Sequence, residues 1–320
     1  MASPLRPRPH RRARAQLCLG LAPLVAVGMA VLVVLGLRLA EARAPLAEAK
    51  GTALAHVVEA GQPPDGRGVL VAFTDNAGRS RSGRLVLAEP VAVAPGADVA
   101  VRYDPAAAAN GFPTVHADGD AASRTVQDLA AGMTVVAGAL VLATGLTGVV
   151  VLTRRRLQRR AAVTATATRL VVRRGLLVRS WLELQTAEGL RWVPVFWAPE
   201  LAGLLPDDRI ELRGDPATDR LVLPVVSGAE IWPSGRVRDR APRGEQRAPR
   251  AEPAMPSIGM ARQLRVDVVV TAAAPLLGLL WAYVDGSGAG GFAAGTALTA
   301  VVLFWTLQLL GSDPEATARS

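Results

Sequence analysis

Apolar residues gather into four long runs, at about 17–37, 129–153, 266–284 and 291–310, separated by stretches in which apolar and polar positions alternate. Each run is long enough, or nearly so, to cross a hydrocarbon core of roughly 30 Å. They predict transmembrane helices at 17–38, 129–153, 266–284 and 291–310. Between the first two runs the pattern becomes short, β-branched and punctuated by Gly and Pro. Residues 69–73 read as a strand and 84–87 as its return. Asp75-Asn76-Ala77-Gly78 reads as the tight turn joining them, because Asn and Gly tolerate positive φ at little cost. Pro95-Gly96-Ala97-Asp98 makes a second turn into 99–103, where Val99, Val101 and Tyr103 share one face with a period of two.

The same layout returns 111 positions later. Val101-Arg102-Tyr103-Asp104-Pro105-Ala106 pairs with Leu212-Arg213-Gly214-Asp215-Pro216-Ala217. Gly78 pairs with Gly189, Pro95 with Pro206 and Val99 with Ile210, without a gap. The fold class expected is therefore membrane α + β: four transmembrane helices with two small, duplicated β-rich modules, one on each side of the membrane. Each module is expected to be a small barrel or sandwich-like unit.

Charge orders these pieces across the bilayer. The formal net charge is +9, which invites a nucleic-acid reading until its distribution is examined. Residues 1–16 hold five Arg and no acid, 41–124 hold eight basic and ten acidic groups, and 154–265 hold 21 basic and 12 acidic groups. Positive charge thus collects beside the ends of apolar runs, above all at Arg154, Arg155, Arg156, Arg159 and Arg160, as the positive-inside rule requires of cytoplasmic segments. The expected partners are the lipid bilayer, with anionic lipid held by those five arginines, and a protein partner or a second copy of the chain; nucleic acid is not among them. The layout reads as a basic cytoplasmic tail at 1–16, an extracytoplasmic module at 41–124 and a cytoplasmic module at 154–232. A flexible Pro/Arg-rich linker follows at 233–261 and a cytoplasmic tail at 311–320. Both termini would face the cytoplasm of a cell whose plasma membrane the chain crosses four times. The first helix reads as a retained signal anchor, its apolar run exceeding the roughly 7–15 residues of a cleavable signal. Cys18 is the only cysteine, so neither module can be stapled by a disulfide within the chain.

The segment Val99-Ala100-Val101-Arg102-Tyr103-Asp104-Pro105, following Pro95-Gly96-Ala97-Asp98, resembles the ending of a module in a bacterial, actinobacterial family of multi-pass membrane proteins with a domain of unknown function. That module ends in V-x-V-x-Y-D-P between transmembrane helices. The resemblance covers about residues 50–106, and more weakly 161–217, where Gly214 replaces the Tyr and Asp207-Asp208 the Gly. It implies a β-rich extracytoplasmic module and a membrane location, and brings no activity, cofactor or site with it.

Candidate chemistry is sparse. Asp104-Pro105 and Asp215-Pro216 could suggest a pair of catalytic acids, but copies on opposite faces of a bilayer cannot cooperate. Each Asp is expected to bond local backbone and set a turn, while Pro ends the ladder. His10, His56 and His116 fall in tail, strand and loop with no partner at ligand spacing. No Gly-x-Ser-x-Gly elbow, phosphate-cradling loop or His-Glu-x-x-His is present in the sequence. Catalytic, cofactor and metal residues are accordingly none. Ionisable groups in the helices (Arg38, Asp128, Asp267 and Asp285) sit near their ends. Pro275 suits a packing role with a kink as the alternative, and Gly291-x-x-x-Gly295-x-x-x-Thr299 offers a small-residue face for close helix contact. Trp181, Trp192, Trp197 and Trp232 fit the core of the cytoplasmic module, or else an aromatic anchor on the inner leaflet. The expected function is a non-catalytic cell-envelope interaction or scaffold component, with an accessory subunit of a transport or export complex as the alternative.

Overall fold

The structure is a computed structural model in which residues 11–62, 66–87, 93–106, 114–117, 121–248, 260–286 and 288–314 are described. It contains four helices long and apolar enough to cross a membrane, at Arg11–Glu48, Val126–Leu157, Leu264–Val284 and Gly288–Leu310. The first, α1 (Arg11–Glu48), starts earlier and ends later than hydropathy predicts. So does the second, α2 (Ala121–Leu157), at both ends. The extensions of α1 are rich in Ala, Arg, Glu and Leu, which favour helix whether or not lipid surrounds them. The chain divides into two compact units, Met29–Ala139 and Met1–Gly28 with Leu140–Ser320.

In the first unit, β1 (Gly51–Gln62), β2 (Gly68–Thr74), β3 (Ser80–Val86), β4 (Asp98–Tyr103) and β5 (Thr114–Ala117) close into a barrel in the order β1-β2-β3-β5-β4. All pairs are antiparallel except β3 with β5. This is the order of a five-stranded Greek-key barrel of the OB type. Closure occupies both edges of every strand, which removes the exposed edge through which a partner strand could add. Inside, Ala55, Val57, Val69, Val71, Phe73, Leu85, Val101, Tyr103 and Val115 form the core. Gly51 is required there: an added Cβ would lie 2.5 Å from the Tyr103 ring. His116, expected in a loop, lies in β5. His10 lies outside the described residues.

The predicted turn at 75–78 is built around Asp75. Its Oδ1 accepts the backbone N–H groups of Ala77 and Arg79, both at 2.9 Å, and its Oδ2 pairs with Arg79 Nε at 3.0 Å and Arg81 Nε at 2.8 Å. Tyr103 Oη accepts Asn76 N–H at 3.0 Å, tying the turn to β4. These bonds, led by that from Arg79 N–H, hold the Asp75 carboxyl well below the usual carboxylate range, at about 2. A depressed folded-state value means stability that is full above the unfolded value of roughly 3.9 and is lost as pH falls toward 2. Thermal unfolding of the full-length protein should therefore show a decline over that acid window that Asp75→Asn removes; an identical decline in the variant would refute the assignment.

The second unit repeats this plan and then leaves it. Here β6 (Ala162–Arg174), β7 (Leu177–Thr186), β8 (Gly189–Val195) and β9 (Asp208–Arg213) are ordered β9-β6-β7-β8, as β4-β1-β2-β3 are in the barrel. The local geometry repeats as well. Asp207 takes a left-handed φ of 60° where its counterpart Gly96 has 84°, a conformation few side chains adopt. Asp104 Oδ1 accepts Ala106 N–H and Asp215 Oδ1 accepts Ala217 N–H, each at 2.9 Å. Both Asp-Pro motifs are turn-setters, and the 111-residue echo corresponds to a repeated topology. The difference is closure. β10 (Leu223–Val226) pairs with β9 as β5 does with β4, but continues to β11 (Ala229–Glu230) instead of joining β8.

The edge that β10 leaves on β8 is covered by the segment expected to be a flexible linker. Trp192 and Arg238 exchange backbone hydrogen bonds at 2.9 Å, Ser234 N–H donates to Pro194 O, and Val237 N–H donates to Arg220 O. β12 (Glu245–Arg247) pairs with 171–173 of β6, on the side opposite β7 and beyond the stretch that β9 covers. Over 233–248 the linker expectation is therefore corrected: polar, Pro-rich chain is ordered here by the backbone groups of a sheet edge. Residues 249–259 lie outside the described residues.

The third span stays helical but tightens part-way. α3 (Met260–Val268) passes into a 3-10 stretch (Val269–Ala273) and then α4 (Ala274–Asp285), with Pro275 at the start of α4. Proline has no N–H for the preceding turn, so the chain tightens ahead of it. α5 (Gly288–Leu310) packs on α4 through Gly278, where an added Cβ would fall 2.1 Å from Thr296 Oγ1 and 3.0 Å from Phe292 O. Gly295 meets Gly278 and Trp281. The small-residue face is thus used within the chain. Trp305 Nε1 donates to Thr147 Oγ1 at 3.0 Å, joining α5 to α2.

Candidate functional site: a buried polar seam at the helix ends

After Leu310, Gly311 adopts a left-handed φ of 74° and turns the chain off the helix axis. Ser312 and Asp313 are thereby folded onto the sheet instead of trailing away as a tail; residues 315–320 lie outside the described residues. Asp313 N–H donates to Val178 O at 2.9 Å. Its Oδ2 accepts the Ser180 hydroxyl and pairs with Arg169 Nη2 at 3.1 Å, with both charged side chains almost fully buried.

Around this lock the helix starts and ends are fastened in turn. Arg12, on the first turn of α1, lies 4.0 Å from the centre of the Trp197 ring, and Arg14 lies 5.2 Å from that of Trp232. Ala13 and Leu17 pack with Leu157, Phe196, Leu223 and Trp232. Arg154 Nε donates to Pro233 O at 2.9 Å and its Nη1 to Thr153 Oγ1. Arg160 pairs with Asp219 at 2.8 Å. Of the five arginines expected to meet lipid, Arg154 is buried and Arg160 is engaged with protein, which leaves Arg155, Arg156 and Arg159 exposed. Trp181, Trp192, Trp197 and Trp232 are buried, as the core reading expects: Trp197 lies beneath Arg12 of α1, and Trp232 packs with Ala13 and Leu17 of α1 and Leu157 of α2. Arg179 and Arg238 flank the Trp181 ring, and burial, followed by the charge of Arg238, lowers Arg179 to about 10. Glu230 accepts from Gln158 Nε2 at 2.6 Å and burial raises its pKa.

Asp267 is the exception in this seam. It is 3% exposed, and it accepts from Gln308 Nε2 at 2.6 Å and Ser312 Oγ at 2.8 Å. Both donors are neutral. Neither Asp313 nor Arg169 draws attention in the sequence, and their pairing spans 144 positions. Asp267 was visible only as an acid near a helix end. In the barrel unit, His56 pairs with Asp98 on the surface, and burial with the charge of Arg102 lowers the pKa of His116. Among the described residues no group of three His, Cys, Asp or Glu side chains could hold a metal ion.

These features define a mixed α + β protein whose four long apolar helices are suited to a bilayer. No protein-family model, curated protein or solved structure matches the chain.

Proposed function

We propose that the protein is a non-catalytic interaction scaffold of a bacterial plasma membrane, with both termini cytoplasmic, the barrel outside and the sheet inside. The resemblance of 50–106 to an actinobacterial membrane family of unknown function agrees with this placement. The observation that carries the proposal is the Asp313 lock: a buried ion pair makes the sheet a fixed extension of the helix ends, suited to holding a partner in a set position. The basic cytoplasmic end then meets anionic lipid through Arg155, Arg156 and Arg159. Because the barrel is closed, its partner, a protein or a second copy of the chain, binds to outward side chains. Leu54 and Val58 on β1, 60% and 51% exposed, flank the His56–Asp98 pair and provide such a surface.

An accessory role in a transport or export complex is favoured by a different observation, the buried acid beside the 3-10 stretch of an apolar span. Photo-crosslinking in native membranes separates the two. A photoreactive residue at Leu54 or Val58 should capture a defined product, while one at Leu276 or Leu280, which are exposed on α4, should label mainly lipid. Specific protein capture only from α4 would transfer the function to the helices and sink the scaffold proposal.

A further inference from the structure

A carboxylate taken out of water into a membrane-crossing segment must be neutralised by an ion pair, a proton or a bound cation. Asp267 lies in the crossing segment Leu264–Val284, one residue before α3 gives way to the 3-10 stretch. The charged groups near it are committed elsewhere. On its own helix Arg265 is exposed; beyond α5, Asp313 is paired with Arg169 of β6; on α1, Arg12 lies over Trp197. Among the described residues none forms an ion pair with Asp267.

Unused oxygen atoms surround the same place. Gln308 Oε1 is buried without a hydrogen-bond donor. Gln16 is fully buried, and neither its amide oxygen nor its nitrogen has a partner. Gln16 lies one turn before Gly20, where an added Cβ would come within 2.6 Å of Gln308 Cβ, so it is on the face of α1 that meets α5. Ala13 and Leu17, before Gly20 on α1, belong to the cluster against which Leu309 packs, beyond Gln308 on α5. The two helices therefore run in opposite directions here, and Gln16 falls level with the turn from Gln308 to Ser312. Two buried amide oxygens left without a donor are costly, and both are suited to a hard cation.

We propose that Asp267, Gln308, Ser312 and Gln16 form a buried site for one monovalent cation, a sodium ion or a proton, where α3 of the third span passes into its 3-10 stretch. A single carboxylate matches a single positive charge, and the neutral oxygens complete the shell around sodium. For a proton, the carboxyl itself is the acceptor and Gln308 and Ser312 orient it. Ser312 adjoins Asp313, so occupancy also bears on the lock between α5 and the sheet. The site is independent of what the barrel binds.

The test is the unfolding midpoint of the purified full-length protein in detergent. It is measured with sodium replaced by choline at constant ionic strength, and from mildly acidic to mildly alkaline pH. A sodium site should raise the wild-type midpoint by about 3–5 °C per tenfold increase in sodium above the dissociation constant. A proton site should instead give a similar rise per pH unit on acidification, without a sodium effect. Asp267→Asn, which keeps the shape, should abolish either response, and Gln16→Leu only that to sodium. A wild type indifferent to both ions, or an Asp267→Asn protein that responds as the wild type does, overturns the proposal. Should Asp267→Asn fail to accumulate, infrared spectra of the wild type decide. A buried carboxylic-acid C=O band that vanishes on adding sodium or alkali supports the site; no such band, with a sodium-indifferent midpoint, refutes it.

Discussion

Asp313→Ala is expected to destabilise the sheet unit by about 3–5 kcal/mol, because it removes the carboxylate of a buried ion pair and leaves the charge of Arg169 without it. The side chains of both partners are at most 3% exposed, so water cannot replace what is lost. Ser180 Oγ also loses its acceptor. Asp313→Asn, which can still accept from Ser180 but carries no charge, should fall between alanine and the wild type. The surface pair Arg160–Asp219 provides the contrast: both side chains are about a third or more exposed, and Asp219→Ala should cost no more than about 1 kcal/mol. Tryptophan fluorescence is a suitable readout, since Trp181, Trp192, Trp197 and Trp232 all lie in the sheet unit. Equal losses from the two alanine variants would show that the Asp313 contact does not fasten α5 to the sheet.

The elements that were legible in the sequence are those whose signal is local. Four apolar runs mark four spans because hydrocarbon imposes length and composition on every residue in them. Positions 75–78 announce a turn because Asn76 and Gly78 suit its backbone, and the strands on either side alternate with the pleat. The 111-residue echo also survives where the side chain has changed, as Asp207 keeps the left-handed backbone of Gly96. What sequence reasoning missed depends on partners far along the chain. Residues 233–248 have the composition of a linker, and nothing local records that β8 needs an edge covered. Asp267 meets Gln308 and Ser312 across 41 and 45 positions. The tail expected after 310 is folded back by one glycine with a left-handed backbone, and such a glycine looks the same in sequence whether the chain beyond it docks or leaves.

Trp232→Ala should be nearly as costly as Asp313→Ala, at about 3–5 kcal/mol, for a different reason. The ring is fully buried among Ala13 and Leu17 of α1, Leu157 of α2, and Phe196 and Leu223 of the sheet unit. Truncation would open a cavity where three pieces of chain meet, and would also remove the aromatic face beneath Arg14. Trp232→Phe separates these terms. It keeps a ring in place and eliminates an indole N–H that is buried without a partner, a defect that costs about 1–3 kcal/mol wherever it occurs. The phenylalanine variant should therefore lie within about 1 kcal/mol of the wild type, while Trp281→Ala, at a residue of α4 that is 59% exposed, should change the midpoint little. An aromatic that served as a lipid anchor would show the opposite order, with Trp281 the sensitive position and Trp232 tolerant. Unfolding of the three variants in the same detergent distinguishes the two, because a core aromatic is recognised by the cavity it leaves and an interfacial one by the lipid it loses.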